Sequence, residues 1–300
     1  MSVNYSIQSQ ARRLPDPAAV LELLKPITWF PPMWAYLCGA VSAGVAFSGR
    51  WTDFALGVLL AGPLVCAMSQ AANDWYDRHV DAINEPARPI PSGRVPGSWG
   101  FWIAVAWTAV SLGVASLLGL WGFGAAVVAC ALAWAYSAPP LRLKQNGWWA
   151  CAATGLCYEG LPWFTGAAVM LGTLPPGEVI VVAALYALGA HGIMTLNDFK
   201  AIEGDTHLGV RSLPVILGPE RAARFACWVM AAAQMAVIAL MLAWGHWLAA
   251  LAVAAVLAGQ GLAMRRMLRD PRALAPWYNA TGVSLYVLGM LASAIALGAG

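Results

Sequence analysis

Charge is scarce in this chain: 17 Lys and Arg and 14 Asp and Glu among 300 residues, 10% in all, against 60% hydrophobic residues. That leaves too little polar surface to cover a water-soluble fold, which excludes a soluble globular domain and points to an integral membrane protein seated in a lipid bilayer. Paired cysteine ligands are missing too. Cys38, Cys66, Cys130, Cys151, Cys157 and Cys227 all fall in apolar stretches without a Cys-x-x-Cys spacing, and they read as small buried hydrophobes. Residues 1–24 carry Arg12, Arg13, Pro15 and Pro17 and lack a continuous apolar core ending in a small-residue cleavage site. No cleavable signal peptide is therefore expected, and the first span stays in place as an anchor. No nucleic-acid partner is expected.

What the chain has instead is long apolar runs. Those of roughly 17–25 residues predict nine membrane-spanning helices, near 27–48, 54–73, 98–119, 121–137, 148–171, 178–197, 219–243, 246–264 and 277–298. With the N-terminus in the cytoplasm, sixteen of the 17 Lys and Arg fall on the inner side and Arg50 alone on the outer. So lopsided a distribution supports both the span count and a cytoplasmic N-terminus. The expected organisation is a flexible cytoplasmic segment over residues 1–26 and one transmembrane domain over 27–300.

Half of the 14 carboxylates sit in two short segments, each directly after an apolar run: Asp74, Asp77, Asp81 and Glu85 in the first, Asp198, Glu203 and Asp205 in the second. Both segments then face the cytoplasm. Read as helix, Asn73, Asp74, Asp77 and Asp81 fall within an arc of about 100°, so their oxygens share one face. A helix cap needs one carboxylate rather than three at i, i+3 and i+7. Gathered acids repel one another unless a hard cation sits among them. Oxygen ligands with no Cys or His favour Mg²⁺, which in turn favours a phosphate-bearing substrate. In the second segment Asp198 and Asp205 share a face, Glu203 points away, and Gly204 is a candidate helix break.

A weak internal repeat points the same way. Asn73-Asp74 is followed by Arg88-Pro89-Ile90-Pro91, and Asn197-Asp198 by Arg211-Ser212-Leu213-Pro214. Two similar halves would set the acidic clusters face to face across a central cavity, unless two short polar loops match by chance. Two isolated polar residues remain open. Glu159, inside the fifth span, is functional or else neutral or paired with a neighbouring helix. His191 shares a face with Thr195 and Asp198, and reads as a polar cavity wall or a hydrogen-bonded structural histidine.

The two clusters resemble the paired aspartate motifs of the UbiA superfamily of intramembrane prenyltransferases. The resemblance extends to Asn84-Glu85-Pro86-Ala87-Arg88-Pro89-Ile90-Pro91-Ser92-Gly93 after the first cluster, and to Tyr136-Ser137-Ala138-Pro139-Pro140-Leu141-Arg142-Leu143-Lys144 after the fourth span. Ala201 departs from members that carry a further Asp in the second cluster. Asn197-Asp198-Phe199-Lys200 followed by Glu203-Gly204-Asp205 and Ser212-Leu213-Pro214-Val215 is instead similar to the chlorophyll synthase branch. The resemblance implies an all-α integral membrane protein, a UbiA-type bundle of about nine helices with a central cavity open to the cytoplasmic side and Asp-rich motifs over 73–93 and 197–218.

The reaction the resemblance implies joins a polyprenyl diphosphate, geranylgeranyl or phytyl, to the propionate of a bacteriochlorophyllide-type tetrapyrrole. Asp74, Asp77, Asp198 and Asp205 would be catalytic; Asp74, Asp77, Asp81, Asp198 and Asp205 would ligate Mg²⁺; and Asn73, Arg88, Arg142, Lys144, Asn197 and Lys200 would bind the diphosphate. Glu159 and His191 are the candidate cavity or tetrapyrrole contacts. An ionised propionate can attack an allylic cation without a general base, so no Ser-His-Asp or Cys-His set is required. Two other readings are a related prenyl transfer to chlorophyllide, a quinone precursor or haem, and a non-enzymatic membrane carrier. Other membrane proteins of pigment synthesis are possible partners.

Overall fold

The computed structural model describes residues 14–299. Residues 1–13, half of the expected flexible segment and including Arg12 and Arg13, lie outside the described residues, as does Gly300. Among the described residues there is helix and no sheet, with one isolated bridge between Asn146 and Arg211. The helices are α1 (Pro17–Leu23), α2 (Phe30–Ser42), α3 (Trp51–Asn84), α4 (Trp99–Ala115), α5 (Gly119–Ser137), α6 (Gly147–Gly155), α7 (Leu161–Leu171), α8 (Gly177–Asn197), α9 (Ile202–Leu208), α10 (Leu213–Leu217), α11 (Pro219–Ala243), α12 (Trp247–Met267) and α13 (Pro271–Gly298).

Helix occupies all nine predicted apolar runs, but six continuous helical segments among the described residues are long and apolar enough to cross a membrane. Three local causes account for the difference. Helices α4 and α5 join through a 3₁₀ turn at Ser116–Leu118 and Gly119 at φ 79°, so they form one long segment bent by a glycine that tolerates the left-handed region. Helices α6 and α7 run on through a π-helical turn at Leu156–Gly160, but Thr154, Tyr158, Glu159 and Pro162 leave the joined segment less apolar than the six. Helix α2 has 13 residues, about 20 Å of rise at 1.5 Å per residue, shorter than the hydrocarbon core. Helix α3 carries a second π turn at Leu60–Cys66, where Pro63 lacks the N–H that an α-helical ladder needs.

Without a hydrophobic drive between helices in lipid, close backbone approach and polar pairing do the packing. Gly39 and Gly166 let α2 and α7 touch: a Cβ at either would lie 1.9 Å from the Trp163 carbonyl oxygen or 2.1 Å from that of Tyr36. Buried Gln234 and Gln260 exchange amide hydrogen bonds of 3.2 and 2.7 Å between α11 and α12. Buried Trp163 donates its indole N–H to Ser42 at 3.1 Å, which ties α7 to α2.

Candidate active site

Helix α3 continues past its apolar run to Asn84 and carries the first acidic cluster beside a cavity of about 460 Å³, whose lining includes none of Asp74, Asp77, Asp81, Asp198 and Asp205. Asn73 from α3 and Asn197 from the end of α8 both line this cavity, with Lys25, Arg88 and Lys200, so the two Asn-Asp segments meet there through their asparagines. Helix α8 turns 3₁₀ over Asp198–Ala201, and α9 then runs through Gly204 to Gly209, which adopts φ 69°. The break therefore falls at Asp198 and not at Gly204. Asp205 lies within electrostatic range of Asp198.

The first cluster is held by cations from three loops. Buried Asp74 accepts a 2.7 Å hydrogen bond from Lys25 and lies 3.5 Å from Arg88. Arg88 also binds Asp81 at 3.0 Å and Glu85. Asp77 turns the other way, to Lys144 at 2.5 Å and Arg142 at 3.5 Å. The expected convergence of Asp74, Asp77 and Asp81 on one point is not seen: among the described residues no three His, Cys, Asp or Glu side chains gather around a common ion position. Sharing a helix face is not enough, because Arg88 and Lys144 stand between the carboxylates. The donor set still suits Mg²⁺, since the carboxylates are hard oxygen ligands and buried Asp74 Oδ2 has no partner.

Burial opposes the Arg88 charge, but Asp74, the Glu85 hydrogen bond and Asp81 outweigh it and hold the guanidinium more firmly protonated. Burial pulls the Lys144 ammonium below the usual lysine range, against the attraction of Asp77. The loop bearing Arg142 and Lys144 is fixed by the backbone: Gly147 N–H donates to Arg211 at 2.8 Å and Arg211 N–H to Gln145 at 3.1 Å. Arg94 braces the Arg88 loop by binding Glu22 of α1 at 2.6 Å and the Ala87 carbonyl at 2.7 Å.

Asn73 also reaches Ser137 at 3.5 Å. Asp198 receives the Cys151 thiol at 3.9 Å, and Thr195 donates to Cys151 at 3.8 Å. Neither Glu159 nor His191 lines the cavity. Glu159 is buried in the π turn with Oε2 unpartnered, near Cys38 and Tyr286. His191 packs between Trp148 and Phe225, with ring centroids 6.1 and 5.8 Å away, and its Nδ1 has no partner.

Two features escaped the sequence reading. Lys25 stands out in the sequence only as one more inner-side positive charge, and Gln70 and Tyr158 have no charge to mark them. Below the charged mouth the cavity narrows past Cys66, Gln70 and Tyr158 to an apolar wall of Ala61, Val65, Ala129 and Cys157. The same four residues border a further apolar space of about 30 Å³. A polar, cationic mouth above an apolar shaft suits an amphiphile with an anionic head and a hydrocarbon tail.

Comparison with known proteins agrees. The chain is 60% identical over 297 residues, 99% of its length and 98% of the relative's, to the bacteriochlorophyll synthase 33 kDa chain of Cereibacter sphaeroides. It is 40% identical over 92% of its length to the chloroplastic chlorophyll synthase of Avena sativa, of which it covers 75%. Its fold matches that of a UbiA homologue from Archaeoglobus fulgidus bound to GPP and Mg²⁺, with a TM-score of 0.71 at 20% identity, over 91% of this chain and 99% of the other. Residues 29–297 match the UbiA prenyltransferase family, and the chain belongs to that family.

Proposed function

We propose that the chain esterifies the propionate of bacteriochlorophyllide a with a geranylgeranyl or phytyl diphosphate and releases pyrophosphate. The observation that carries this reading is the graded cavity: Lys25, Arg88 and Lys200 at the mouth, uncharged polar groups below them, and an apolar end. The relatives named as bacteriochlorophyll and chlorophyll synthases supply the acceptor class.

The chain's own cations perform the binding. Lys25, Arg88, Lys200, Arg142 and Lys144 surround the place where a diphosphate head sits between the two Asn-Asp segments, and Asn73 and Asn197 add neutral donors. These positive groups stabilise charge as it moves onto the departing pyrophosphate. Asp74, Asp77, Asp81, Asp198 and Asp205 would hold Mg²⁺, which supplies Lewis-acid neutralisation of the diphosphate. The apolar walls hold the isoprenoid tail and keep water from the allylic carbon. The propionate arrives already ionised, and one of its oxygens forms the new bond at prenyl C1 while the C1–O bond to diphosphate breaks.

Nine membrane crossings, with the N-terminus and the cavity mouth on the cytoplasmic face, complete the proposal. The mouth is supported as the inner face by Lys25, Arg88, Arg142, Lys144 and Lys200, which gather there, while Arg50 bonds the Val169 carbonyl near the far end of α7.

Incubating the purified chain with geranylgeranyl diphosphate, Mg²⁺ and bacteriochlorophyllide labelled with ¹⁸O in the propionate tests the bond formed. Both labelled oxygens should remain in the product ester. Loss of one would indicate acyl activation, and a carbon-linked prenyl product would move the chain to another acceptor class.

A further inference from the structure

The two π turns meet at the cavity wall. The turn in α3 ends at Cys66, and the turn between α6 and α7 carries Tyr158. The Cys66 Sγ lies 3.6 Å from the Tyr158 hydroxyl, and Gln70, one helical turn further along α3, donates its amide to the same hydroxyl at 3.1 Å. Such turns inside α-helices are frequent at functional sites. Here both insertions serve one contact, buried midway down a substrate cavity.

The hydrogen-bond ledger of this pair is incomplete. The Tyr158 oxygen accepts from Gln70, and among the described residues no oxygen or nitrogen takes the phenolic proton; its other neighbour is the soft sulfur of Cys66. The Gln70 amide has two hydrogens, and one is committed to Tyr158. Among the described residues the O–H and the second N–H thus meet only the soft Cys66 sulfur, which a carboxylate oxygen entering the cavity would displace.

Their depth identifies that group. Cys66, Gln70 and Asn73 all line the cavity and form an i, i+4, i+7 stripe along α3. At 1.5 Å per residue, Gln70 lies about 4.5 Å below Asn73, which stands beside the diphosphate head. The reacting prenyl carbon is one bond from the bridging diphosphate oxygen and so lies at this level, above the apolar wall. We infer that Tyr158 and Gln70 form the seat of the acceptor carboxylate, holding the propionate through two neutral hydrogen bonds against prenyl C1. This rests on the ester-forming reading above.

Neutral donors suit the task. They orient the carboxylate without pairing its charge with a second cation, and the mouth cations remain on the diphosphate. One carboxylate lone pair becomes the new C–O bond, and the C1–O pair departs with pyrophosphate. Tyr158 and Gln70 keep their protons, so the step needs no base.

The test uses the purified full-length chain with Mg²⁺, bacteriochlorophyllide, its propionate methyl ester and geranylgeranyl diphosphate. Pigment fluorescence titration should show wild-type protein preferring the free acid to the methyl ester by about tenfold, as expected for hydrogen bonds to a charged group. Tyr158→Phe and Gln70→Leu should each abolish most of that preference and raise the acceptor KM about tenfold. The KM for geranylgeranyl diphosphate should stay within about twofold, and the thermal midpoint should not change. If the wild-type chain forms no pigment ester, the functional reading falls and this inference with it. If it forms the ester while both variants keep the acid preference, or lose donor and acceptor affinity alike, this inference alone is overturned.

Discussion

Lys25 and Arg142 are, among the described residues, the two non-glycine residues with positive φ, 47° and 38°, and each carries its charge to a carboxylate of the first acidic cluster. Residues with a Cβ avoid this region because the Cβ crowds the backbone, at a cost of about 1–2 kcal/mol. Both loops hold strain at the point where they deliver a cation, a pattern found at functional sites.

This predicts an inverted ranking of substitutions. At positions 25 and 142 the Gly variants should be more stable than the Ala variants by about 1 kcal/mol, the reverse of the usual order. Both variants at each position should lose at least about tenfold in kcat/KM, about 1.4 kcal/mol of transition-state stabilisation. Thermal unfolding and turnover of the four proteins measure the two effects separately. A Gly variant less stable than its Ala counterpart would show that the positive φ is not a source of strain.

Asp74→Asn and Asp198→Asn keep side-chain size and remove charge at the two Asn-Asp segments. Each should abolish turnover nearly completely while the protein inserts and elutes as wild type does. Chelation should do the same to the wild-type protein, with recovery on adding Mg²⁺. Retention of more than about a tenth of the rate, a shortfall under ~1.4 kcal/mol, would separate the acidic clusters from catalysis.

The distribution of acids was legible because periodicity is local: Asp74, Asp77 and Asp81 fall on one helix face whatever surrounds them. What each acid binds was not. Lys25 is 49 positions from Asp74, and loop paths alone bring them together. The repeat leads one to expect the two acidic clusters face to face across a cavity; Asn73 and Asn197 line it, and the aspartates do not. The π turns were hidden because pattern reading assumes a constant 100° per residue, which Pro63 disturbs in α3. Glu159 is marked by its charge, yet in the π turn it points away from its neighbour: Tyr158 faces the cavity and Glu159 the protein interior.

The Glu22–Arg94 pair gives a signed pH prediction. The Arg94 hydrogen bond holds the Glu22 carboxyl below its ordinary range. A group depressed in the folded state contributes stability above its unfolded pKa and loses it as pH falls through the folded value. The wild-type advantage over Glu22→Gln should therefore be constant from pH 7 to about 5 and vanish below the ordinary carboxylate range near 4. The pair is exposed, so the advantage should be small and shrink with added salt. Paired melts across pH at low and high salt check this, and an advantage that grows on acidification would contradict it.

The charge distribution predicts the topology. Arg50 should face away from the cytoplasm and Arg211 toward it, since Arg211 is tied through Gln145 and Gly147 to the loop that carries Lys144 into the cavity mouth. In a Cys-free background, cysteine at position 50 should react in intact cells with an impermeant thiol reagent, and cysteine at 211 should react only after the membrane is opened. Arg211 contributes its backbone groups to that tie, so the substitution keeps the loop in place. Labelling of position 211 from outside would invert the bundle and put the cavity mouth on the outer face, where Lys25, Arg88 and Lys200 lining it would run against the charge rule that membrane proteins follow.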